Sequence, residues 1–582
     1  MTNQNVRQPL ADIPVSDGGR EPRSEAEIQL LLKLKHAELK DDAKLAPQVK
    51  HYQKPEEKPF TQAQRDSTTI LFGGLTWKHE QLIQAFTRSL GYQFVALPVP
   101  DIDAFQTGKE FGNNGQCNPS YFTVGNLVEY LKNLEQSGLS RRQIIDQYVF
   151  ITAGSCGPCR FGMYESEYRL ALENSGFDGF RILLFQQTAG LFQDKANAGI
   201  NLNSRFFVGL LNALVLGDLL NEVAYKIRPF EVNAGETDLV LKQSLDVISN
   251  LLSKPEAKNK PWYKWVPGAA GYWFQLIFAT RNLTALEAIS NRFDAIEVDF
   301  LRVKPVVKIT GEFWAQTTEG DGNYRMFSFL EQENAQVLVE PIGTWISYIL
   351  HQAKQKAGDE RGLATHRFYQ IFGHFQWLSG IVQSRWKEVK LSLAEYLFNR
   401  QWNHYCRQLR HIPHPLLDQS ELTEIAQPFY NSRAQGGEGH LEIAKNIYYT
   451  QNKLCHMVLS LKPFGCMPST QSDGVQSAIV NRFHDMIFLP LETSGEGEVN
   501  AHSRAQMALG EARIKSNDEF EAALKACRHS LAQIRKYVNQ HRELRGAMLN
   551  IPSDGRYSGQ AANYVRYVDT LMRESQEKPE RD

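Results

Sequence analysis

A repeated alternation of short apolar strands with helical segments constrains the fold of this chain most. Near the N-terminal end, strands are predicted at 68–74 (TTILFGG), 92–99 (YQFVALPV), 147–152 (QYVFIT) and 180–186 (FRILLFQ). Helices are predicted between them at 77–90, 122–134 and 161–174. Strands that are joined through helices pair in parallel, with the helices packed on the faces of the sheet. The alternation therefore predicts the α/β class.

The same alternation recurs later in the chain, and 582 residues are too many for one hydrophobic core. Further strands are predicted at 305–314 (PVVKITGEFW), 335–341 (AQVLVEP), 457–464 (MVLSLKPF) and 486–492 (MIFLPLE). We therefore predict a polar N-terminal extension with one helix at 1–65, an α/β domain at 66–235, a mainly helical insertion at 236–303, a second α/β domain at 304–425, and a third α/β unit with C-terminal helices at 426–582.

Composition and charge exclude several classes of protein. Hydrophobic residues make up 42% of the chain and charged residues 22%, as in soluble globular proteins. The formal net charge of −1 provides no overall basic field for nucleic acid. The most apolar long stretch, 206–220, is interrupted by Asn212 and Asp218, so it predicts a buried helix and no membrane span. Because the N-terminus lacks a signal-peptide pattern, we expect a cytoplasmic protein.

Four of the seven cysteines lie in loops beside predicted helix starts. Cys156 and Cys159 form SCGPCRFG, directly after a predicted strand and before a helix. Cys117 lies in NNGQCNPSYF before a helix, and Cys466 lies in KPFGCMPST between a strand and a helix. Loops of this kind gather at the carboxyl edge of parallel sheets, where helix N-termini favour thiolates and anionic ligands. We expect the four cysteines to converge.

Several chemistries fit such a group of cysteines. Four thiolates can hold an iron–sulfur cluster or a tetrahedral zinc ion. Cys-Gly-Pro-Cys is also the redox tetrapeptide of thioredoxins, although Gly154 and Ser155 stand where thioredoxins carry an aromatic residue. The remaining cysteines lie in helical patterns without flanking Gly or Pro, and we expect them to be ordinary packed residues. They are Cys406, Cys455 and Cys527.

The longest motifs of the chain resemble one family of iron–sulfur proteins. They are GNNGQCNPSYFTVGNLVEYL, FITAGSCGPCRFGMYESEYRLAL, KITGEFWAQTTEGDGNYRMFSFL, GGEGH, LKPFGCMPSTQSDGV and SGEGEVNAHSR. Together they are similar to 2-hydroxyacyl-CoA dehydratases, benzoyl-CoA reductase subunits and double-cubane cluster proteins, and most of all to acyl-CoA dehydratase activase-related proteins. The resemblance covers about residues 66–510.

The resemblance implies flavodoxin-like domains, connected by helical insertions, with an oxygen-sensitive cluster in the crevice between them. It makes Cys117, Cys156, Cys159 and Cys466 the candidate cluster ligands. A double cubane needs more thiolates than these four, which favours a single [4Fe–4S] cluster or a double one completed by another subunit. The family also implies a separate activase-like iron–sulfur ATPase, which supplies electrons for the reduction or dehydration of an acyl-CoA or a small molecule. The chain could also form a homo-oligomer.

The chain lacks a P-loop motif, so we expect no ATP hydrolysis of its own. Glycine-rich GGEGH and SGEGE could bind a phosphate or carboxylate, or simply open a helix. Candidate catalytic residues, each of which could instead cap a helix or pair with a neighbour, are Arg160, Glu312, Glu438, His440, Glu492, Glu496 and His502, of which the His and Glu residues could supply protons. The cation of Arg160 is expected to lower the pKa of the neighbouring Cys159 thiol.

Three functions stay open on the residues. The first is a redox enzyme, or a component of one, that uses a cluster for low-potential reduction. The second is a non-catalytic cluster scaffold or regulator. The third is a thiol–disulfide or zinc-binding protein that uses CGPC. A nucleic-acid or membrane partner is not expected.

Overall fold

The computed structural model describes residues 32–36, 39, 57–154, 159–186, 190–191, 199–254, 271–274, 280–368, 375–434 and 436–577. The chain divides into two compact units, 1–55 and 56–582. In the first unit, the described residues 32–36 and 39 are helical, where the sequence predicts the one helix of the N-terminal extension.

Five strands form the first sheet, in the order β2-β1-β3-β4-β5. They are β1 Thr69–Phe72, β2 Gln93–Ala96, β3 Tyr148–Gly154, β4 Arg181–Gln186 and β5 Gly190–Leu191. The first four strands are parallel, with Ile70 opposite both Phe94 and Val149, while the short β5 runs antiparallel to β4. The parallel α/β class predicted from the alternation is confirmed.

Helices separate these strands and extend beyond them. In chain order they are α1 Trp77–Ser89, α2 Ile102–Phe111, α3 Asn118–Gln136, α4 Arg141–Gln147, α5 Tyr164–Asn174, α6 Ser204–Ile227, α7 Glu236–Leu252 and α8 Thr280–Asp294. Helices α2 and α3 pack closely against each other at two glycines, one in each helix. A Cβ atom on Gly125 would overlap the carbonyl oxygen of Ala104, and one on Gly108 would overlap that of Tyr121. This backbone contact fixes the start of α3, which carries the Cys117 loop.

Helix α6 lies in the core. Among the described residues, one helical stretch, Ser204–Phe230, is long and apolar enough to cross a membrane. Of its 18 most apolar consecutive residues, 72% are buried inside the protein. Its two interrupting polar residues are paired: Asn212 accepts a hydrogen bond from Gln401, and Asp218 accepts two from backbone N–H groups. The buried helix predicted at 206–220 is confirmed.

The second sheet has the order β7-β6-β8-β9, and all its pairs are parallel. Its strands are β6 Val306–Gly311, β7 Gln336–Leu338, β8 Met457–Pro463 and β9 Ile487–Thr493. The segments predicted as separate α/β units at 304–425 and 426–582 therefore share one sheet, because β8 pairs directly with β6. Strand pairing between distant segments cannot be inferred from a local apolar pattern.

The helices around the second sheet include the longest of the protein. They are α9 Phe313–Thr317, α10 Met326–Gln332, α11 Ile342–Phe368, α12 Phe375–Gln408, α13 Gln419–Ala426, α14 Gly439–Gln451 and α15 Met467–Arg482. Three C-terminal helices follow the last strand: α16 Glu498–Lys525, α17 Leu531–Gln540 and α18 Gln560–Glu577.

In both sheets the strand order reverses at the first strand. Strand β2 pairs with one side of β1, and β3 pairs with the other side. In the second sheet, β7 and β8 pair with the two sides of β6 in the same way. In open parallel sheets, such a reversal leaves a crevice at the carboxyl ends of the two central strands, where ligands bind. The strand order thus points to the loops after β3, β6 and β8.

Candidate functional site

Each described cysteine of the predicted set is the residue before a helical turn. Cys117 precedes α3, Cys466 precedes α15, and Cys159 precedes a short 3-10 turn that leads into α5. All three have extended backbone, and a proline follows in the first turn of α3 and of α15. Proline is favoured there because its missing N–H would have no helical partner. Cys156 lies outside the described residues.

Backbone contacts bring loops of the two sheets together. The N–H of Asn118, beside Cys117, donates to the carbonyl oxygen of Phe464 at 3.2 Å, and the N–H of Cys159 donates to that of Gly436 at 3.1 Å. A Cβ atom on Gly465 would lie 3.6 Å from the Cα of Cys117. The loops that carry Cys117 and Cys466 are therefore neighbours, although their positions are far apart in the chain.

The three described thiols lie in one region, where the sequence predicts a crevice. Cys159 lies within electrostatic range of both Cys117 and Cys466. The side chains of Cys117 and Cys466 are buried, and the hydroxyl of Tyr164 lies 3.0 Å from the Cys117 Sγ. The structure thus brings together the three described members of the predicted set.

Burial has a larger effect than nearby charges on the pKa values of these thiols. It raises the pKa of Cys159 to about 12, and it raises those of Cys117 and Cys466 as well. The expectation that Arg160 lowers the pKa of Cys159 is wrong. The Arg160 guanidinium turns to the carbonyl oxygen of Gly115, so it acts on Cys117, and too weakly to offset burial.

Two carboxyl groups share the crevice with the thiols. Glu312 follows β6 and accepts a hydrogen bond from the N–H of Ala315 at 2.9 Å, while Glu438 precedes α14 and accepts one from the indole of Trp345 at 3.0 Å. Burial, and then the nearby Glu438, raise the pKa of Glu312 to about 8, and burial raises that of Glu438. Both groups therefore hold a proton more readily than an ordinary glutamate.

His440 is the most unusual side chain beside this crevice. It is 2% exposed, its ring stacks on Tyr348, and among the described residues neither ring nitrogen has a hydrogen-bond partner. Burial lowers its pKa to about 4. His440 is therefore neutral near pH 7 and keeps one donor and one acceptor unused.

The other candidate residues are exposed or have partners other than the thiols. Glu492 is exposed at the end of β9, and Glu496 is exposed and pairs with Lys109 at 3.4 Å. His502 stacks on Phe329 and its Nε2 lies 2.8 Å from the carbonyl oxygen of Tyr324, which is a packing role on α16. In SGEGE, Gly495 lies against the ring of Phe105, and Gly497 is the residue before α16.

The remaining cysteines are packed as expected. Cys406 and Cys455 are buried in apolar clusters, and the Cys527 Sγ lies 3.2 Å from the carbonyl oxygen of Ala523. None of the three is within electrostatic range of the crevice thiols, as far as the described residues show.

The three described cysteines are donors of the type that a zinc ion and an iron–sulfur cluster both use. Zinc holds each thiolate sulfur at about 2.3 Å, which requires the sulfurs to be close neighbours. Among the described residues, no group of three or more His, Cys, Asp or Glu side chains is arranged to hold a metal ion. A cubane binds its thiolates at separate iron atoms on its corners, so it accepts a wider spacing. The three described cysteines, with Cys156 beside them in the chain, fit such a group.

Several polar residues of this region were not predicted from the sequence. They are Tyr164, Trp345, Gln316, Glu442, Lys445 and Lys462. The residues between Gly439 and Tyr449 include apolar side chains on every face of α14. A helix of that kind is enclosed on all sides. This pattern could have shown that its charged residues are buried too.

Comparison of the chain with protein-family models, with curated proteins and with solved structures finds no match.

Proposed function

We propose that this chain is a cytoplasmic iron–sulfur protein related to the 2-hydroxyacyl-CoA dehydratases, benzoyl-CoA reductases and double-cubane cluster proteins. It serves as a component of an ATP-dependent low-potential reductase or dehydratase. The meeting of Cys117, Cys159 and Cys466 in one crevice carries the proposal. In this proposal both sheets belong to flavodoxin-like domains, and the cluster lies between them.

The cluster would be held by Cys117, Cys159 and Cys466, together with Cys156. When bound, it would supply single electrons to an acyl-CoA thioester or a small molecule. The chain surrounds the site with buried side chains, which limits access of water and oxygen. The Tyr164 hydroxyl offers a hydrogen bond to the Cys117 sulfur, and such bonds adjust the potential of a cluster.

Proton supply is the second contribution of the chain. Glu312 and Glu438 lie beside the thiols, and the pKa of each is raised by burial. A carboxyl group that stays protonated near neutral pH can act as a general acid. These two groups are therefore better placed as proton donors than Glu496 or His502.

A partner surface surrounds the mouth of the crevice. Met163, Phe464 and Met467 follow or flank the cysteines, and they are 60%, 56% and 43% exposed. Exposed apolar side chains around a site are typical of protein interfaces. We propose that the activase-like iron–sulfur ATPase docks here. Changing Phe464 and Met467 to Gln should weaken its binding at least tenfold, whereas Met507→Gln, 79% exposed on α16, should not.

Metal analysis tests the proposal directly. After anaerobic reconstitution, the protein should contain iron and acid-labile sulfide, and Cys117→Ser, Cys159→Ser and Cys466→Ser should each lower both by half or more. Cys406→Ser and Cys455→Ser are the controls and should bind as the parent does. One zinc per chain without sulfide, or a reversible Cys156–Cys159 disulfide without metal, would replace this function with the third alternative.

A further inference from the structure

Helix α12 carries a line of exposed apolar side chains, here called the apolar seam. It consists of Trp386, Val389, Leu393 and Tyr396, whose exposed fractions are 60%, 53%, 47% and 58%. Their intervals of three, four and three residues are those of the a and d positions of a coiled coil, which lie along one side of a helix. In a coiled coil, such a line is covered by a second helix. The apolar seam therefore has the geometry of one half of a helix pair.

Helix α11 packs on another side of α12. The Ser384 hydroxyl donates to the carbonyl oxygen of Ala357 at 2.9 Å, and the Glu395 carboxylate lies 2.5 Å from the Lys354 Nζ. Neither Ser384 nor Glu395 belongs to the apolar seam. The neighbouring helix, as far as its side chains are described, thus leaves the seam exposed.

The exposed line continues beyond Tyr396. At intervals of four, three and four residues it reaches Arg400, Asn403 and Arg407, all of which are exposed. The buried residues of this part of α12, such as Phe398 and Trp402, lie at other positions of the helical repeat. A second helix can therefore lie along the seam and past its end without entering the core.

The area of the apolar seam is sufficient for a weak, specific contact between two copies. At the observed exposed fractions the four side chains offer roughly 450 Å² per chain, since one large aromatic side chain alone covers about 150–250 Å². Two seams facing each other bury about 900 Å², and the stems of the flanking Arg385 and Lys390 bring the total near the roughly 1,200 Å² at which specific interfaces begin.

We propose that two copies of the chain pair through the apolar seam, with their α12 helices antiparallel about a two-fold axis at Leu391. The intervals three, four and three read the same in both directions. This axis therefore places Trp386 opposite the partner's Tyr396, and Val389 opposite the partner's Leu393. The seam is self-complementary, as a two-fold interface requires. The pairing goes beyond the proposed function and does not depend on a bound cluster.

Flanking charges favour the antiparallel order. In a parallel pair the e and g positions of the two helices meet, so each Arg385 faces the partner's Lys390 and two like-charge contacts arise. In the antiparallel pair Arg385 faces the partner's Asn399 instead. Among the described residues, the one like-charge contact that then remains joins the two copies of Lys390, whose Nζ lies 5.6 Å from the centre of the Trp386 ring in its own chain.

Sedimentation equilibrium of the full chain tests the pairing. Between about 1 and 100 µM, the range in which contacts of this size associate, the mass should rise from 66.3 kDa towards twice that value. Trp386→Gln and Leu393→Gln should each raise the dissociation constant at least tenfold. Leu239→Gln, 58% exposed on α7, is the matched control and should leave it unchanged. All three positions are exposed, so the variants should keep the circular dichroism of the parent.

Photo-crosslinking tests the order of the helices. A benzophenone amino acid replaces Ser392, which lies beside the two-fold axis and outside the apolar seam. In an equal mixture of nitrogen-14 and nitrogen-15 chains, cross-linked peptides of mixed isotope show that the link joins two copies. The link should end on α12 of the partner, between positions 385 and 399.

Three outcomes would overturn the pairing. The first is a chain that stays monomeric at about 100 µM, including one whose seam binds anionic lipid vesicles instead. The second is a dimer whose dissociation constant is unchanged in Leu393→Gln. The third is a mixed-isotope link from position 392 that ends outside α12.

Discussion

The backbone N–H of Cys159 donates a hydrogen bond to the carbonyl oxygen of Gly436, 3.1 Å away. Cys159 follows the third strand of the first sheet, and Gly436 precedes helix α14 on the second sheet. The bond joins main chain to main chain, so it holds the two loops together whatever their side chains bind. The approach of the two loops is therefore a property of the fold itself.

Gly437, next to Gly436, should tolerate no side chain. Its φ of +138° disfavours other residues, and a Cβ atom would overlap the ring of Pro468 behind Cys466. Gly437→Ala should lower the free energy of unfolding by about 3 kcal/mol in denaturant titration. Gly474→Ala, in the exposed part of α15 with open space around it, should instead raise it by about 0.5–1 kcal/mol. Equal effects of the two changes would contradict the packing at Gly437.

Glu80 should make the protein less stable as pH rises. Burial raises its pKa to about 8, against 4.5 in the unfolded chain, so the folded state binds more protons between these values. Stability falls across this window by roughly 3–5 kcal/mol relative to Glu80→Gln, which does not titrate. Unfolding titrations at pH 5 and pH 8.5 should show similar stability at the lower pH and a more stable variant at the higher. Parallel pH profiles would show that Glu80 titrates normally.

His440→Phe should stabilise the protein. The change removes two ring nitrogens that have no partner among the described residues and keeps the stacking on Tyr348. An unsatisfied buried polar group costs about 1–3 kcal/mol, so we expect a gain of about 1–2 kcal/mol at pH 8. Because burial lowers the folded pKa to about 4, below 6.5 in the unfolded chain, the parent loses further stability as pH falls through that window. The gain should therefore grow toward pH 5.

A matched control for this change is His456→Phe. Both nitrogens of His456 have partners, the N–H of Val306 and the Glu519 carboxylate, so this variant should be less stable than the parent. Loss of stability in His440→Phe at pH 8 would mean that water or a ligand satisfies His440.

Asp218→Asn should destabilise the core. The carboxylate accepts hydrogen bonds from the N–H groups of Ile342 and Gly343 at 2.9 and 2.8 Å, and the His79 Nε2 lies 3.0 Å away. An amide has only one acceptor oxygen, so one backbone donor at the start of α11 is left unpaired, at about 2–3 kcal/mol. Asp238→Asn, in a pair that is 61% exposed on the aspartate side, should change the melting temperature far less.

Local patterns predicted the elements that carry the site. Strands β1, β3 and β8 lie in apolar runs that end at glycine or proline, and the three described cysteines of the predicted set precede helical turns as their loops indicated. The loops of Cys117 and Cys466 belong to different sheets, so the rule that carboxyl ends of parallel strands meet at one edge does not by itself account for their contact. The placement of β8 against β6 was not predictable either, because pairing over such a distance depends on the whole fold.

The positions of the charged side chains were the least predictable part of the candidate site. Arg160 follows Cys159 in the chain, yet its side chain points to the carbonyl oxygen of Gly115. Consecutive residues can direct their side chains differently. Lys445 and Glu442 are charged residues that sequence rules assign to the surface, whereas tertiary packing encloses them. Helix α2 was not predicted, because its close contact with α3 depends on two isolated glycines rather than on an apolar periodicity.

The join between the two sheets sets an order of assembly. Cys117 and Cys159 leave the ribosome hundreds of residues before Cys466, and the loop of Cys466 takes its place only after β8 has paired with β6. Any group held by all three thiols can therefore be inserted only after β8 and Cys466 have been synthesised. Its loss would leave the two sheets joined, because main-chain hydrogen bonds hold the loops in place.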